Sequence, residues 1–461
     1  MYEGRAVVVA GAGVAGHACA SALLRLGARV TVVDRARSAR ADELGAAGAR
    51  IVIADAPPGD LLDGVTDVVV SPGFPPHHPL AATALAAGLD VYSEPELAWR
   101  LRGPDAPPWL AVTGTNGKTT TVTMLAAMLA AGGWRTAALG NIGVPLVEAA
   151  RDARAYDVLA VELSSFQLHW SRSLAPQAGA LLNLADDHLD WHGGFDAYAG
   201  AKTAIWRSAV AAGGGTAVGN LDDPRVADLL AAVPGRAVGV TLGEPAPGQF
   251  GVVDGVLIDR AGGEPVPLGP AAEVRPAGAH NVSNALHAAA LARAFGASPE
   301  AVAAGLAGYR PEPHRNAYVA TVGGVAYVDD SKATNPHAAY ASLRAYPRVV
   351  WVAGGQLKGV DVGDLVASVA DRLVGAVVLG VDREQVSQAL ARHAPRIPVV
   401  DVPSTDDGAM GEVVRAAARL AAPGDTVLLA PAAASLDMFT SYAQRGDAFA
   451  AAVRALDTTG A

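Results

Sequence analysis

Short apolar runs alternate with alanine- and leucine-rich stretches along this 461-residue chain, and this alternation constrains its fold more than any other feature. The first apolar run is Ala6-Val7-Val8-Val9, which leads through a glycine turn into a helical stretch ending near Leu26. A second run follows at 29–33. Apolar strands joined by crossover helices are typical of parallel sheets. The pattern therefore predicts an α/β protein.

Two breaks interrupt this alternation and suggest domain boundaries. A proline-rich stretch lies at 103–108, and a second break falls near 308–311. Segments rich in proline and glycine are typical of linkers. We therefore predict three α/β domains: a Rossmann-like domain at 1–102, a central P-loop ATPase-like parallel sheet at 103–308, and a second Rossmann-like domain at 309–461. Within the central domain, the glycine- and proline-rich stretch 240–269 predicts a β-rich insertion.

The charge and cysteine content limit the class of protein. The formal net charge of −10 and pI of about 5.5 argue against a nucleic-acid-binding surface. Cys19 is the one cysteine, which favours a reducing compartment. No signal-peptide pattern or membrane-spanning apolar stretch is evident. We expect a soluble, cytoplasmic monomer that binds neither nucleic acid nor membrane.

The strongest local motif is a glycine-rich loop between a predicted strand and a predicted helix. It reads Thr113-Gly114-Thr115-Asn116-Gly117-Lys118-Thr119-Thr120. Backbone N–H groups in such a loop and at the following helix start attract phosphates, a lysine can bridge them, and a hydroxyl can bind Mg²⁺. The standard first glycine is replaced by Val112, so a plain turn is the alternative. The Gly-Lys-Thr-Thr run favours nucleotide binding.

Three further residues in the central region are candidates for phosphoryl-transfer chemistry. Glu162 ends a predicted strand one unit after the glycine-rich loop, where a carboxylate can hold Mg²⁺. His188 follows another strand and could bind a metal, although an ordinary loop histidine is the commoner outcome. Lys202 lies on a predicted helix and would by itself be interpreted as a surface lysine.

The N-terminal region carries a dinucleotide-type fingerprint. Gly11-Ala12-Gly13-Val14-Ala15-Gly16 follows the first strand, and Asp34 ends the second. Taken alone, this spacing favours NAD or FAD, but the same geometry serves any nucleotide diphosphate. A further turn, Ser71-Pro72-Gly73, follows another strand of this region and could line the same ligand.

Three polar loops follow strands of the C-terminal region. They contain residues 329–336, 354–359 and 431–437. The first mixes carboxylates, a lysine and hydroxyls, a set suited to a ribose and phosphates. Because ligands of open parallel sheets bind beyond the carboxyl ends of strands, the three loops predict a common site.

Together these motifs resemble the Mur ligase family over essentially the whole chain. The most specific matches are the stretches 114–120, 162–167, 330–335, 435–437 and 444–446. Within the family, 330–335 and 435–437 favour the members that add glutamate. Ala15 and Tyr442 depart from the usual threonine and phenylalanine, and the uracil-contacting stretch at 35–37 has no secure alignment to the family.

The resemblance implies a role for each candidate residue. Catalysis would involve Lys118, Glu162, His188 and Lys202. ATP would be bound by Gly114, Thr115, Asn116, Gly117, Lys118, Thr119, Thr120, His280, Asn281, Asn284, Arg315, Asp330 and Lys332. The UDP-substrate would contact Gly13, Val14, Ala15, Asp34, Arg35, Ser71, Pro72, Gly73, Asn141 and His188. Glutamate would contact Thr334, Lys358, Ser435, Leu436 and Tyr442. Two Mg²⁺ ions would be bound by Thr119, Glu162, His188 and Lys202, the last as a carbamate.

The reaction implied by the resemblance is ATP-dependent joining of D-glutamate to UDP-N-acetylmuramoyl-L-alanine through an acyl phosphate, in peptidoglycan precursor synthesis. The residues themselves are compatible with either enantiomer of glutamate. Other Mur ligases and a folylpolyglutamate synthase-like ligase are the alternatives within the class. An NAD-dependent oxidoreductase would leave the glycine-rich loop and Lys202 unexplained, and a non-catalytic nucleotide-binding regulator would not need the full set of lysine, hydroxyl and carboxylate groups.

Overall fold

The computed structural model describes residues 2–54, 59–150, 155–211, 214–311, 313–404, 406 and 408–458. Its strands are β1 (Ala6–Ala10), β2 (Arg29–Asp34), β3 (Arg50–Ile53), β4 (Asp67–Val70), β5 (Asp90–Tyr92), β6 (Trp109–Thr113), β7 (Ala138–Gly140), β8 (Leu159–Glu162), β9 (Ala178–Leu181), β10 (Thr216–Asn220), β11 (Arg236–Val240), β12 (Gln249–Val253), β13 (Val256–Asp259), β14 (Val266–Pro270), β15 (Ala317–Val322), β16 (Val325–Asp329), β17 (Val349–Gly354), β18 (Leu373–Leu379), β19 (Val399–Asp401) and β20 (Thr426–Leu429).

The helices occupy the alanine- and leucine-rich stretches between these strands. They are α1 (Val14–Arg25), α2 (Ala39–Ala46), α3 (Pro79–Ala86), α4 (Glu94–Arg100), α5 (Lys118–Ala131), α6 (Leu146–Ala149), α7 (Ser165–His169), α8 (Leu189–His192), α9 (Phe195–Thr203), α10 (Arg207–Val210), α11 (Pro224–Ala231), α12 (Ala279–Phe295), α13 (Pro299–Gly308), α14 (Pro336–Leu343), α15 (Gly363–Val369), α16 (Arg383–His393), α17 (Ala409–Leu420) and α18 (Tyr442–Thr458). The predicted α/β class is confirmed.

The first sheet has the strand order β3-β2-β1-β4-β5, and every neighbouring pair is parallel. β1 and β4 are buried, apolar and adjacent, and the order of the strands reverses between them. The loops that follow β1 and β4 therefore meet at the edge where open α/β sheets bind ligands. These loops carry the predicted glycine fingerprint and the Ser71 turn.

The central sheet has nine strands in the order β14-β13-β12-β11-β10-β9-β6-β8-β7. It is parallel from β12 to β7, whereas β12, β13 and β14 pair antiparallel. The predicted β-rich insertion at 240–269 is thus confirmed. β6 lies between β9 and β8, so the glycine-rich loop after β6 is flanked by the ends of both strands. Helix α12 is followed by α13, where Gly305 packs closely on Met128 of α5.

A buried carboxylate joins the first two sheets. Glu96, in the first turn of α4, accepts hydrogen bonds from the backbone N–H groups of Ser173 and Leu174 at 3.1 Å and from the Ser173 hydroxyl at 2.6 Å. Arg100 donates to the same carboxylate at 2.9 Å. Because Glu96 is fully buried, its two oxygens fix α4 to the turn that precedes β9.

The third sheet has the order β15-β16-β20-β17-β18-β19 and is parallel except for β15 against β16. The loops after β16, β20 and β17 are the three polar loops predicted from the sequence. Chain contacts divide the protein into two compact units, which we call unit 1 (1–273 and 283–308) and unit 2 (274–282 and 309–461). The domain boundaries at 102/103 and 308/309 stay a prediction. Across the described ranges, no helix is both long and apolar enough to cross a membrane.

Candidate active site

The glycine-rich loop of unit 1 has a backbone that requires two of its glycines. Gly117 has a φ of 83° and lies at the N-terminus of α5. A Cβ atom on Gly117 would approach Oδ1 of Asn284 to 2.4 Å, and one on Gly114 would approach Cβ of Leu182 to 3.0 Å. Because both glycines lack a Cβ atom, the loop can pass close to its neighbours and lead into the N-terminus of α5, the kind of position that attracts anions.

Side chains from neighbouring elements fix the shape of this loop. The backbone N–H of Thr115 donates to the Asn183 carbonyl at 3.0 Å, and that of Asn116 donates to Oδ1 of Asn183 at 2.8 Å. The hydroxyls of Thr115 and Tyr198 are 2.8 Å apart. Tyr198 was not predicted as a site residue, although it precedes Lys202 by four positions and therefore shares its face of α9.

Lys118 and Lys202 converge on one carbonyl of the loop. Lys118 Nζ donates to the Gly114 carbonyl at 3.0 Å and to that of Thr115 at 2.9 Å. Lys202 Nζ donates to the same Gly114 carbonyl at 2.8 Å, and Lys202 is only 2% exposed. Burial, followed by the nearby charge of Lys118, holds the pKa of Lys202 well below its usual range. Lys202 is thus an interior residue, not the surface lysine that its helix alone would suggest.

Glu162 ends β8 beside the loop and is almost completely buried. Its Oε2 accepts the Thr119 hydroxyl at 2.7 Å, and its Oε1 accepts Nδ2 of Asn141 at 2.9 Å. The Asn141 backbone N–H also donates to the Glu162 carbonyl at 2.9 Å. The structure therefore brings together three residues that the sequence separates by more than twenty positions each.

The Thr119 hydroxyl and the Glu162 carboxylate are suitable ligands for Mg²⁺. Within the described ranges, no group of three or more His, Cys, Asp or Glu side chains is arranged to hold a metal. A site with few protein oxygens fits Mg²⁺, because this ion retains several waters and takes other ligands from substrate phosphates. The residues present thus fit an ion that arrives with a nucleotide.

His188 adopts a left-handed conformation, with a φ of 54°, immediately before α8. Its ring lies 4.6 Å from that of Phe166, measured between centroids, and its Nε2 is 3.5 Å from Oδ2 of Asp187. Burial lowers the pKa of His188, and the charges of Lys202 and Lys118 act in the same direction against Asp187. Left-handed backbone is uncommon outside glycine, although histidine is among the residues that adopt it more readily, and such positions cluster at functional sites.

The loop after β1 is organised by Asp34. Oδ2 of Asp34 accepts the Ala12 backbone N–H at 2.7 Å, and Oδ1 accepts that of Arg35 at 2.7 Å. Ser71 lies close to Gly11 of this loop, and its buried hydroxyl has no hydrogen-bond partner among the described residues. Val14 at the start of α1 is 55% exposed. These features and the neighbouring residues Gly13, Ala15, Pro72 and Gly73 lie at the edge of the first sheet where the strand order reverses.

Unit 2 contains the predicted nucleotide residues His280, Asn281, Arg315, Asp330 and Lys332. Asp330 is buried; its Oδ1 accepts the Asn316 backbone N–H at 3.0 Å and its Oδ2 accepts the Ser342 hydroxyl. Burial raises the pKa of Asp330 to about 6. Lys332 Nζ lies 3.8 Å from the centroid of the Tyr442 ring, a cation–π contact. Nδ2 of Asn281 is 2.9 Å from Nε2 of His280, and burial lowers the pKa of His280 to about 4.

Arg445 of α18 organises the loops after β16, β17 and β20. Its guanidinium is buried and donates to the carbonyls of Ser331 at 2.9 Å and Ala433 at 3.1 Å, and to the Ser331 hydroxyl at 2.9 Å. No role was predicted for Arg445, since nothing in its helical sequence signals burial. Lys358 has a φ of 54° and is exposed.

The other residues that were predicted to bind the substrate glutamate differ widely in exposure. Ser435 is buried, Thr334 is half-buried, and Leu436 is 63% exposed. Paired backbone hydrogen bonds between Gln356 and Ala434, at 2.9 and 3.0 Å, join the loop of Ser435 and Leu436 to that of Lys358, and the Ala432 N–H donates to the Ala333 carbonyl in the loop of Thr334 at 2.9 Å. The predicted residues of unit 2 thus extend from a scaffold whose polar groups are already bonded to one another.

The glycine-rich loop, the Thr119–Glu162 pair and the buried Lys202 form one polar cluster beside the central sheet of a three-sheet α/β chain. Three family models match this chain: the MurD-like N-terminal domain of Mur ligases at residues 5–93, the Mur ligase middle domain at 112–292, and the Mur ligase glutamate ligase domain at 314–433. The chain belongs to the Mur ligase family.

Curated relatives match the chain over almost its full length. The UDP-N-acetylmuramoylalanine–D-glutamate ligase of Streptomyces avermitilis is 53% identical over 468 residues, covering 99% of both chains. The protein of the same name from Thermobifida fusca is 54% identical over 469 residues, covering 98% of this chain and 99% of its own. The crystal structure of a MurF ligase from Thermotoga maritima in complex with ADP matches with a TM-score of 0.59 at 19% identity, covering 100% of this chain and 96% of the other.

Proposed function

We infer that this chain is an ATP-dependent amide ligase that joins D-glutamate to UDP-N-acetylmuramoyl-L-alanine in peptidoglycan precursor synthesis. The observation that carries this inference is the Thr119–Glu162 pair at 2.7 Å beside the glycine-rich loop, in a chain about half identical to D-glutamate ligases along its length. An oxidoreductase would require neither the pair nor the buried Lys202.

In the proposed reaction, the alanine carboxylate attacks the γ-phosphorus of ATP, forming an acyl phosphate and releasing ADP. The glutamate amine then attacks the acyl carbon, the C–O bond to phosphate breaks, and the nitrogen loses a proton. Lys118 would exchange its contacts with loop carbonyls for contacts with the phosphates. His188 would orient the carboxylate. Such positioning and charge neutralisation account for most of phosphoryl-transfer catalysis.

We propose that Thr119, Glu162, His188 and a carbamate on Lys202 would hold two Mg²⁺ ions. Bound Mg²⁺ would neutralise charge on the transferring oxygens. Burial lowers the pKa of Lys202, so its amine loses a proton more readily, and the neutral amine can add carbon dioxide and release a second proton to form a carbamate anion. Isotopically labelled bicarbonate should yield a carbamate resonance in the intact enzyme that is absent from the Lys202→Arg variant. The lack of such a resonance at full activity would exclude the carbamate.

The remaining predicted site residues form three groups, one for each substrate. We propose that the edge formed by residues 13–15, 34–35 and 71–73 binds the UDP group, with Asn141 beside the sugar. ATP would lie on residues 114–120 and Asn284, with His280, Asn281, Arg315, Asp330 and Lys332 contacting adenine, ribose and phosphates. Thr334, Lys358, Ser435, Leu436 and Tyr442 would bind glutamate, where the exposed lysine supplies a cation for a carboxylate. We also propose that the enzyme acts as a cytoplasmic monomer, in keeping with its single cysteine.

A panel of amino acids tests this function. The enzyme is incubated with ATP, Mg²⁺, UDP-N-acetylmuramoyl-L-alanine and one amino acid at a time, including both enantiomers of glutamate and a diamino acid. Mass spectrometry should detect the amide product with D-glutamate, together with one phosphate released per amide. Product with the diamino acid alone would reject the glutamate assignment but retain the ligase. Absence of any ATP-dependent product would reject both.

A further inference from the structure

Asn316 is a buried residue of unit 2 whose amide nitrogen and amide oxygen are both hydrogen-bonded, yet no role was assigned to it from the sequence. Its Nδ2 donates to the Ala277 carbonyl at 3.2 Å, and its Oδ1 accepts the Tyr346 hydroxyl at 2.8 Å. Its backbone N–H donates to Oδ1 of Asp330 at 3.0 Å. A buried amide with both polar atoms hydrogen-bonded favours one arrangement of the segments it joins.

The segments that meet at Asn316 carry all five predicted nucleotide residues of unit 2. Ala277 directly precedes the turn into α12, which carries His280 and Asn281, and Nδ2 of Asn281 also donates to the Ala277 carbonyl at 3.3 Å. Asp330 follows β16 and lies two positions before Lys332. Arg315 is the chain neighbour of Asn316.

The backbone of Asn316 suits this junction. Its φ of 48° lies in the left-handed region, which asparagine tolerates better than most residues because its short amide bonds to nearby backbone. Both oxygens of Asp330 are already engaged, one by the Asn316 N–H and the other by the Ser342 hydroxyl. Asp330 is therefore held in one orientation, and the backbone N–H of Asn316 supplies one of the two hydrogen bonds that hold it.

We propose that Asn316 is a positioning residue for the nucleotide: its side-chain amide bonds the adenine-side segment at Ala277, and its backbone N–H bonds the ribose-side carboxylate of Asp330. This inference rests on the proposed function, because the nucleotide is the ligand that these segments would bind. Asn316 itself touches no substrate. Its loss should weaken nucleotide binding while leaving the groups that transfer phosphate in place.

Three variants separate the amide contacts from the backbone conformation. Asn316→Gly keeps the left-handed backbone without strain but removes the amide, whereas Asn316→Asp keeps an acceptor for Tyr346 and places an oxygen against the Ala277 carbonyl. Tyr346→Phe removes one donor from the network. The matched control is Tyr318→Phe, since Tyr318 is exposed in the same unit and its hydroxyl pairs only with Thr321 at 2.9 Å.

The readouts are the KM for each substrate, kcat, and the Kd of ADP measured by calorimetry on the folded, full-length enzyme. For Asn316→Gly we expect KM for ATP and Kd for ADP to rise about tenfold, because two hydrogen bonds are lost, with KM for the UDP-substrate and for glutamate changed less than about twofold. Tyr346→Phe should raise KM for ATP about threefold, and Tyr318→Phe should leave it unchanged.

Unchanged ADP binding in Asn316→Gly, or equal changes in all three KM values, would overturn the inference and leave Asn316 a purely structural residue. Failure of the proposed function is distinguishable, since the wild-type enzyme would then form no amide with any amino acid. If Asn316→Gly is too unstable to measure, Asn316→Asp and Tyr346→Phe decide between the outcomes by the same comparison.

Discussion

The glycine-rich loop region of unit 1 and the glutamate-side loops of unit 2 both lie at the carboxyl ends of parallel strands, but they are built differently. Around the first loop, the candidate catalytic side chains are themselves buried. Glu162 accepts a hydrogen bond from Thr119, and Lys202 donates one to the Gly114 carbonyl. In unit 2 the buried Arg445 fixes the glutamate-side loops, whereas Lys358 and Leu436 on these loops are exposed.

This contrast indicates that the two regions have different roles. Groups that act on a transferring phosphate must be preorganised in a place that excludes water. Groups that select an incoming amino acid can remain exposed, provided that the backbone beneath them is rigid. Substitutions near the first loop should therefore lower kcat, whereas those in the glutamate-side loops should mainly raise the KM for glutamate.

The largest effect is expected for Lys118→Ala. The loss of a charge held against the phosphates should lower kcat by about a thousandfold or more, with little change in folding. Phosphate release in the presence of all three substrates measures this. Thr123→Ala, on the same helix, is the control and should stay within about twofold of wild type. A near-normal kcat in Lys118→Ala would remove the phosphoryl-transfer role from this loop.

The next effect concerns the scaffold of unit 2. Arg445→Met fills similar volume but leaves the Ser331 and Ala433 carbonyls without their donor, so we expect a loss of about 2–4 kcal/mol in the free energy of unfolding. The KM for glutamate should rise in the fraction that remains folded. Arg454→Met, at an exposed position of α18, should change neither quantity. Equal stability of the two variants in chemical denaturation would contradict the scaffold role.

A smaller effect is expected for Lys358→Gln. Replacing an exposed cation by a neutral amide of similar length should raise the KM for glutamate roughly tenfold, with kcat and the KM for ATP nearly unchanged. Arg392→Gln removes an exposed charge from α16 and serves as control. A fall in kcat without a change in the KM for glutamate would assign Lys358 to the chemical step and contradict the proposed difference between the two regions.

The smallest effect is a pH dependence of stability arising in unit 1. Burial lowers the pKa of His287 from 6.5 to about 4, so the unfolded chain binds the proton more tightly than the folded one. Stability from this group is complete above pH 6.5 and is lost as the pH falls toward 4. From about pH 7 to about pH 6, wild type should lose somewhat under ~1 kcal/mol relative to His287→Leu. If the difference in unfolding free energy between wild type and His287→Leu is the same at both pH values, this contribution is excluded.

Much of the fold was predictable because apolar runs flanked by glycine mark buried parallel strands. The glycine-rich loop and Glu162 were equally accessible, since both directly follow such runs. Lys202 was different: its helix gives no sign of burial, and only the resemblance to the Mur ligases suggested its role. Asn316 was missed, and Arg445 was named only within the family match at 444–446 without a role, because their importance depends on contacts with residues distant in sequence, such as Ala277 and Ser331.

The central claim is that the chain activates a carboxylate by phosphoryl transfer, and the fate of the carboxylate oxygen tests it most directly. UDP-N-acetylmuramoyl-L-alanine labelled with heavy oxygen in its carboxylate is converted with ATP and D-glutamate, and the released phosphate is analysed by mass spectrometry. An acyl phosphate intermediate predicts that each released phosphate carries one labelled oxygen. Phosphate without label, while amide product accumulates, would contradict the mechanism.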